Sequence, residues 1–130
     1  VIAADLSNPL ELVRIGLINP GGFDIIIDAG GHVSSHRQTI LRTMWKFVRP
    51  DGFYIIENLG CEPTAAGSMS MRDLLSSWRD GVPRWTPQLP RSDVAGILHE
   101  TASIELHESQ SRVSGDEVRN ALAIIRRQAW

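Results

Sequence analysis

The sequence predicts an α/β fold built on a doubly wound, largely parallel sheet. Three observations carry this. Two nearly unbroken apolar runs, FDIIID from residue 23 and FYII from residue 53, suit strands buried on both faces. Between them Ile40, Leu41, Met44, Phe47 and Val48 recur at three- and four-residue spacing, which puts them on one face of a helix. Arg49-Pro50-Asp51-Gly52 is strong turn chemistry ahead of the second run, so strand, helix, turn and strand read as a βαβ unit with a right-handed crossover.

The other elements follow in order. Residues 1–4 read as a short strand ending at Asp5. Ser7 or Asn8 can then cap a helix that Pro9 opens, since proline has no N–H to lose in a first turn. Leu10, Val13 and Leu17, with Leu12 and Ile15 beside them, supply its helical spacing, and Asn19-Pro20-Gly21-Gly22 stops it. After the strand at 23–27, the helix at 34–48 and the strand at 53–56 comes a polar, glycine-containing loop over 59–68. A helix is predicted over 70–79 through Met71, Leu74, Leu75 and Trp78, and GVPRWTPQLP at 81–90 interrupts it with Pro83, Pro87 and Pro90. Loops at this edge of such a sheet commonly cover a ligand, and a proline-rich surface loop is the competing reading. Ser92 or Asp93 can cap a helix running through Ile97 and Leu98. Residues 103–113 and 118–125 then read as a C-terminal antiparallel hairpin around Ser114-Gly115-Asp116-Glu117.

Length and composition bound the function. With 130 residues, the chain has room for one core and reads as a single domain over 1–130. A formal charge of −2 with intermixed signs leaves no footprint for nucleic acid or an anionic membrane. Cys61 is the one cysteine, so no internal disulfide can form, as suits the cytoplasm. No run approaches the roughly 20 apolar residues of a membrane span, and VIAADLSNP lacks the form of a leader. The chain begins at Val1 inside a strand-like run, so it is expected to be part of a longer protein.

In α/β proteins chemistry collects where parallel strands end. Asp28 and His32 follow the first run, and Glu57 and Asn58 close the second, so four polar side chains are expected on one rim. Carboxylates there can hold Mg²⁺ through oxygen, and a neutral imidazole beside them can take a proton from a hydroxyl. Capping and loop hydrogen bonding are the competing readings. His36 is expected to pack or stay solvated, His99 and His107 to be structural or exposed, and Cys61 to be inert. Trp78 and Trp85 flank the proline-rich loop, as core or rim residues or as contacts to an apolar substrate. Arg126 and Arg127 are too few for a basic patch and are expected to be solvated.

FDIIIDAGGHVSSH, followed by a helix and VRPDGFYIIEN, resembles segments of class I S-adenosylmethionine-dependent methyltransferases, nearest in look to the macrocin and mycinamicin sugar O-methyltransferases. The AADLSNPLEL segment and the C-terminal strands resemble that family too. The resemblance implies a Rossmann-like methyltransferase sheet truncated at its N-terminus. It also implies S-adenosylmethionine as cofactor and a small-molecule or sugar hydroxyl as methyl acceptor. His32 matches the family's base, Glu57 the first of two adjacent magnesium-binding acids, and Asp5 an acid near the cofactor's adenine.

The departures are specific. Ala29 and Asn58 stand where the family carries metal-binding carboxylates, Gly31 replaces a serine, and the glycine-rich cofactor loop of the family has no counterpart here. Mg²⁺ dehydrates reluctantly and prefers carboxylate oxygens, so weak or absent magnesium binding is expected, with Glu57 and Asp28 the remaining candidate ligands. In the family's strand order 3-2-1-4-5-7-6 the chain is expected to begin at strand 3, so without strands 1 and 2 residues 1–4 have no neighbour and the run at residue 23 becomes an exposed apolar edge that invites a second copy. The competing reading is therefore an inactive remnant that serves as an interaction module. A nicotinamide oxidoreductase is a third reading, without a G-x-G-x-x-G fingerprint to support it.

Overall fold

The structure is a computed structural model that describes residues 8–29, 33–59, 69–113 and 116–129. The strand read at 1–4, Asp5, His32, Cys61 and most of the 59–68 loop lie outside the described residues.

Helix α1 (Pro9–Ile18) starts as its sequence dictates, with Pro9 in the first turn and the Asn8 side chain accepting a hydrogen bond from Leu10 N–H at 3.0 Å. The face it buries is not the one the spacing suggested. Leu12 and Gly16 are buried while Leu10 and Leu17 are exposed. Gly16 decides this, because a Cβ there would lie 2.2 Å from the Phe47 ring, so the missing side chain lets helix and ring meet.

Strand β1 (Phe23–Asp28) is followed by α2 (Ser34–Met44), a single 3₁₀ turn (Trp45–Phe47) and β2 (Val48–Ile56). The predicted helix therefore ends four residues early, in a tighter turn. The predicted turn at 49–52 is instead absorbed into β2 as an irregularity: Phe23 pairs with Val48 but Ile25 pairs with Phe53, and Asp51 takes φ 65°. The turn chemistry was real, but tertiary pairing carries the strand through it.

Ser70 caps α3 (Met71–Arg79) by accepting from Asp73 N–H at 3.1 Å, and α3 buries Met71, Leu74, Leu75 and Trp78 as predicted. Helix α4 (Arg91–Glu100) starts one or two residues before the expected caps, behind Pro90 and without a side-chain cap. The hairpin is formed by β3 (Thr101–Val113) and β4 (Asp116–Arg127), antiparallel throughout.

The sheet runs β1-β2-β4-β3, with β1 and β2 parallel and the other pairs antiparallel. Pairing rows fix what each face carries. Ile26, Tyr54, Ile125 and Ile104 share one row, and Asp28, Ile56, Ala123 and Leu106 another, on the face that joins the buried residues of all four helices in one core. Full burial of a leucine such as Leu74 or Leu75 contributes about 1.5–3 kcal/mol.

The opposite face carries Ile25, Ile27, Phe53, Ile55 and Ile124. No described helix covers it: Ile25 is 53% and Ile27 56% exposed. The expectation that the first apolar run is buried on both faces therefore fails, because β1 is the sheet's edge among the described residues and is covered on one side. Arg127 also departs from expectation. Its guanidinium reaches the Val48 carbonyl and pairs with Glu100, tying the end of β4 to β2 and α4, while Arg126 pairs with Asp51 on the surface.

Candidate functional site

Parallel pairing brings the carboxyl ends of β1 and β2 level. Asp28 pairs with Ile56, and the Glu57 N–H donates to the Asp28 carbonyl at 2.9 Å. Three of the four polar residues read from the sequence are described, and they part company. Asp28 has the parity of Ile26, so its side chain enters the helix-covered face and is 5% exposed. Glu57 is half-buried at the rim, and Asn58 is exposed with φ 59°, a left-handed conformation that asparagine tolerates better than most residues.

Beneath the rim lies a polar cluster. Arg37, in the second turn of α2, is fully buried and its guanidinium donates to the Glu57 carbonyl, a charge-assisted bond that fixes the backbone where β2 ends. Tyr54 is also fully buried, and its hydroxyl has no hydrogen-bond partner among the described residues. Burial pushes its ionisation well above the usual tyrosine range; the Asp28 carboxylate pushes the same way, and the Arg37 guanidinium opposes it. Two opposite buried charges thus act on one neutral phenol. The cluster sets the geometry of the strand ends and presents no acid or base to solvent.

A second network joins α2 to the proline-rich loop. Gln38, 2% exposed, donates through Nε2 to the Met69 carbonyl at 3.0 Å and accepts at Oε1 from the Thr86 hydroxyl at 2.6 Å. Thr86 Oγ1 in turn accepts from Leu89 N–H at 3.0 Å. Trp78 is core, its indole N–H donating to the Arg84 carbonyl at 2.9 Å, whereas Trp85 is 56% exposed. His36, His99 and His107 are exposed and take no part in the cluster.

Among the described residues the donor set does not fit a resident magnesium ion. Asp28 points into the covered face, Ala29 supplies no oxygen, and Glu57 with the neutral Asn58 amide is left at the rim. No group of three or more His, Cys, Asp or Glu side chains placed to hold a metal occurs among the described residues. His32 and Asp5 lie outside them.

Sequence reasoning passed over Arg37, Gln38, Tyr54 and Thr86. A signal existed for two of them: Arg37 and Gln38 stand four and three residues before Leu41, in phase with the buried stripe of α2. Polar residues in apolar phase announce a buried polar network.

No family model matches the chain. A tetracenomycin rhamnosyl 3'-O-methyltransferase from Streptomyces olivaceus is 56% identical over 39 residues, 30% of this chain and 10% of that enzyme. The demethylmacrocin O-methyltransferase of Streptomyces fradiae is 46% identical over 58 residues, 45% of this chain and 14% of that one. A methyltransferase of the mycinamycin pathway, solved with magnesium, S-adenosylhomocysteine and mycinamycin VI, overlays 98% of the chain with a TM-score of 0.62 at 24% identity. The chain is related to the macrocin and mycinamicin type of sugar O-methyltransferase. Its mixed sheet with a closing antiparallel hairpin is the Rossmann-like sheet of these O-methyltransferases. It spans about a third of the mycinamycin-pathway structure, 31% of that chain.

Proposed function

We propose that this chain is part of an S-adenosylmethionine-dependent O-methyltransferase domain whose acceptor is a hydroxyl on a sugar or another small natural product. One observation carries the reading: the DAGGH and EN segments, those that resemble the sugar O-methyltransferases, follow strands whose carboxyl ends are level in a sheet of the same fold. S-adenosylmethionine, when bound, supplies an electrophilic methyl group and departs as the thioether. In this reading His32 takes the proton of the acceptor hydroxyl as its oxygen bonds to the methyl carbon. Asp5 holds the adenine. Glu57, its backbone anchored by Arg37, orients the acceptor by hydrogen bonding. We place the protein in the cytoplasm without nucleic-acid or membrane partners; the net charge of −2 supports this, and no described helix is long and apolar enough to cross a membrane.

The test is calorimetry with S-adenosylhomocysteine on the protein of the full reading frame, then methyl transfer to a rhamnoside by that protein and by its His32→Ala variant. Transfer is expected to fall by about 10²–10⁴-fold with cofactor affinity unchanged. An unchanged rate removes His32 as the base.

A second reading is favoured by the exposure of Ile25 and Ile27 on β1. An apolar sheet edge of this kind pairs with another strand, so the chain would serve as an interaction module and self-associate through β1. Sizing of the parent and of Ile25→Lys/Ile27→Lys decides it. A dimer that the double substitution dissociates supports the module, and a parent that stays monomeric at all concentrations excludes it.

A further inference from the structure

We infer that Arg37 is a positioning residue that replaces a divalent cation: its buried guanidinium holds the end of β2 in place, so the rim binds an acceptor without metal. The inference deepens the methyltransferase reading and rests on it for the chemistry after binding.

A cation where β1 and β2 end would draw its oxygens from positions 28, 29, 57 and 58. Asp28 is turned into the helix-covered face, Ala29 has no side-chain oxygen, and Asn58 offers a neutral amide. The Glu57 carbonyl, a further oxygen, already accepts from Arg37. Among the described residues this leaves the Glu57 carboxylate as the one charged oxygen donor at the rim.

Arg37 supplies the tie instead. It stands three residues after α2 opens at Ser34, is fully buried, and reaches across to the residue that follows β2. Ser34, 3% exposed, accepts at Oγ from the Met71 N–H at 3.4 Å, so the start of α3 is held by the same helix end. That helix end begins two residues after His32 in the chain. One buried turn of α2 thus joins the segments that carry the proposed base and the proposed acceptor ligand.

A guanidinium suits this task because it stays charged at every working pH and its planar donors fix direction as well as distance. Its field at Tyr54 is opposed by that of Asp28, so its charge is balanced inside the cluster. Because the bond goes to the Glu57 carbonyl, the carboxylate is left to accept from an acceptor hydroxyl, and the Asn58 amide can donate or accept beside it.

The metal site can be rebuilt as a test. Ala29 and Asn58 are both exposed, and aspartate tolerates the left-handed backbone at position 58 much as asparagine does. The protein of the full reading frame is compared with Arg37→Met, with Ala29→Asp/Asn58→Asp and with the combination of all three changes. Bound Mn²⁺ is read by electron paramagnetic resonance, and amide exchange over residues 53–58 by mass spectrometry. Acceptor KM and kcat are measured with a rhamnoside in Mg²⁺ and in EDTA. The parent is expected to bind no Mn²⁺ tighter than about millimolar and to keep its rate in EDTA. Arg37→Met should exchange at least about tenfold faster over 53–58 and raise acceptor KM about tenfold, with S-adenosylhomocysteine affinity unchanged and Mg²⁺ without effect. Ala29→Asp/Asn58→Asp should gain Mn²⁺ binding, and in that background Mg²⁺ should reverse the KM loss of Arg37→Met, which a merely structural arginine would not allow. Should Arg37→Met fail to fold, Arg37→Met/Asp28→Asn carries the same comparison. Micromolar Mn²⁺ binding by the parent, loss of its rate in EDTA, or unchanged exchange over 53–58 without Arg37 overturns the inference. A parent without methyl transfer strikes the methyltransferase reading, and the Mn²⁺ and exchange readouts still decide this one.

Discussion

Replacing Arg37 with methionine tests whether the buried cluster holds the strand ends together. Methionine refills most of the volume, so the change isolates the charge from the cavity. Two losses follow. The bond to the Glu57 carbonyl is charge-assisted, and such bonds contribute about 1.5–3 kcal/mol. Asp28, only 5% exposed, also loses an opposite charge from the buried field that both set up at Tyr54, which adds to the loss. Arg37→Met is therefore expected to destabilise by about 2–4 kcal/mol, a large share of the roughly 5–15 kcal/mol that holds a domain together. Urea unfolding at pH 7 measures it, with m unchanged if the cluster is local. Arg37→Met combined with Asp28→Asn should cost less than the sum of the two single changes by about 1–3 kcal/mol, because no buried charge is left uncompensated. A single-variant loss under about 1 kcal/mol, or a cycle additive within about 0.5 kcal/mol, refutes the coupling.

Other perturbations follow from the same structure. Tyr54 has its ionisation raised in the fold, so the unfolded chain gives up that proton first; stability should be unaffected below pH 10 and then fall with a limiting slope of about 1.4 kcal/mol per pH unit. Tyr54→Phe should remove that alkaline slope, seen in melts from pH 9 to 11, and should not destabilise at pH 7 because the lost hydroxyl has no described partner. A variant that keeps the slope would assign it elsewhere. Gly16→Ala is expected to cost about 1–3 kcal/mol through collision with the Phe47 ring, with Phe47→Leu partly restoring it; an unchanged Tm counts against that contact. Magnesium calorimetry should show no binding tighter than millimolar, and micromolar affinity would refute the expectation drawn from Ala29 and Asn58.

Legibility varied with how local each signal was. The cap at Asn8, the proline that opens α1, the stripe of α3 and the antiparallel hairpin were readable because each depends on a few adjacent residues. The Arg49-Pro50-Asp51-Gly52 segment was misread because pairing with β1 carries β2 through a turn-forming sequence. The buried face of α1 was misread because a contact 31 residues away, Phe47 against Gly16, outweighs helical periodicity.

By itself, the sequence determined the alternation of strand and helix, the parallel pairing of the two apolar runs, and the likeness to sugar O-methyltransferases. Periodicity and motif chemistry are properties of short stretches, so they survive without coordinates in space. Only the tertiary structure decided which way each side chain went. It sent Asp28 inward to share a buried field with Arg37 and Tyr54, left Glu57 half-buried, and exposed Ile25 and Ile27. The reason is that strand parity, sheet edge and helix cover are set by partners distant in sequence, and a side chain's solvent, charge and neighbours exist only once those partners are in place.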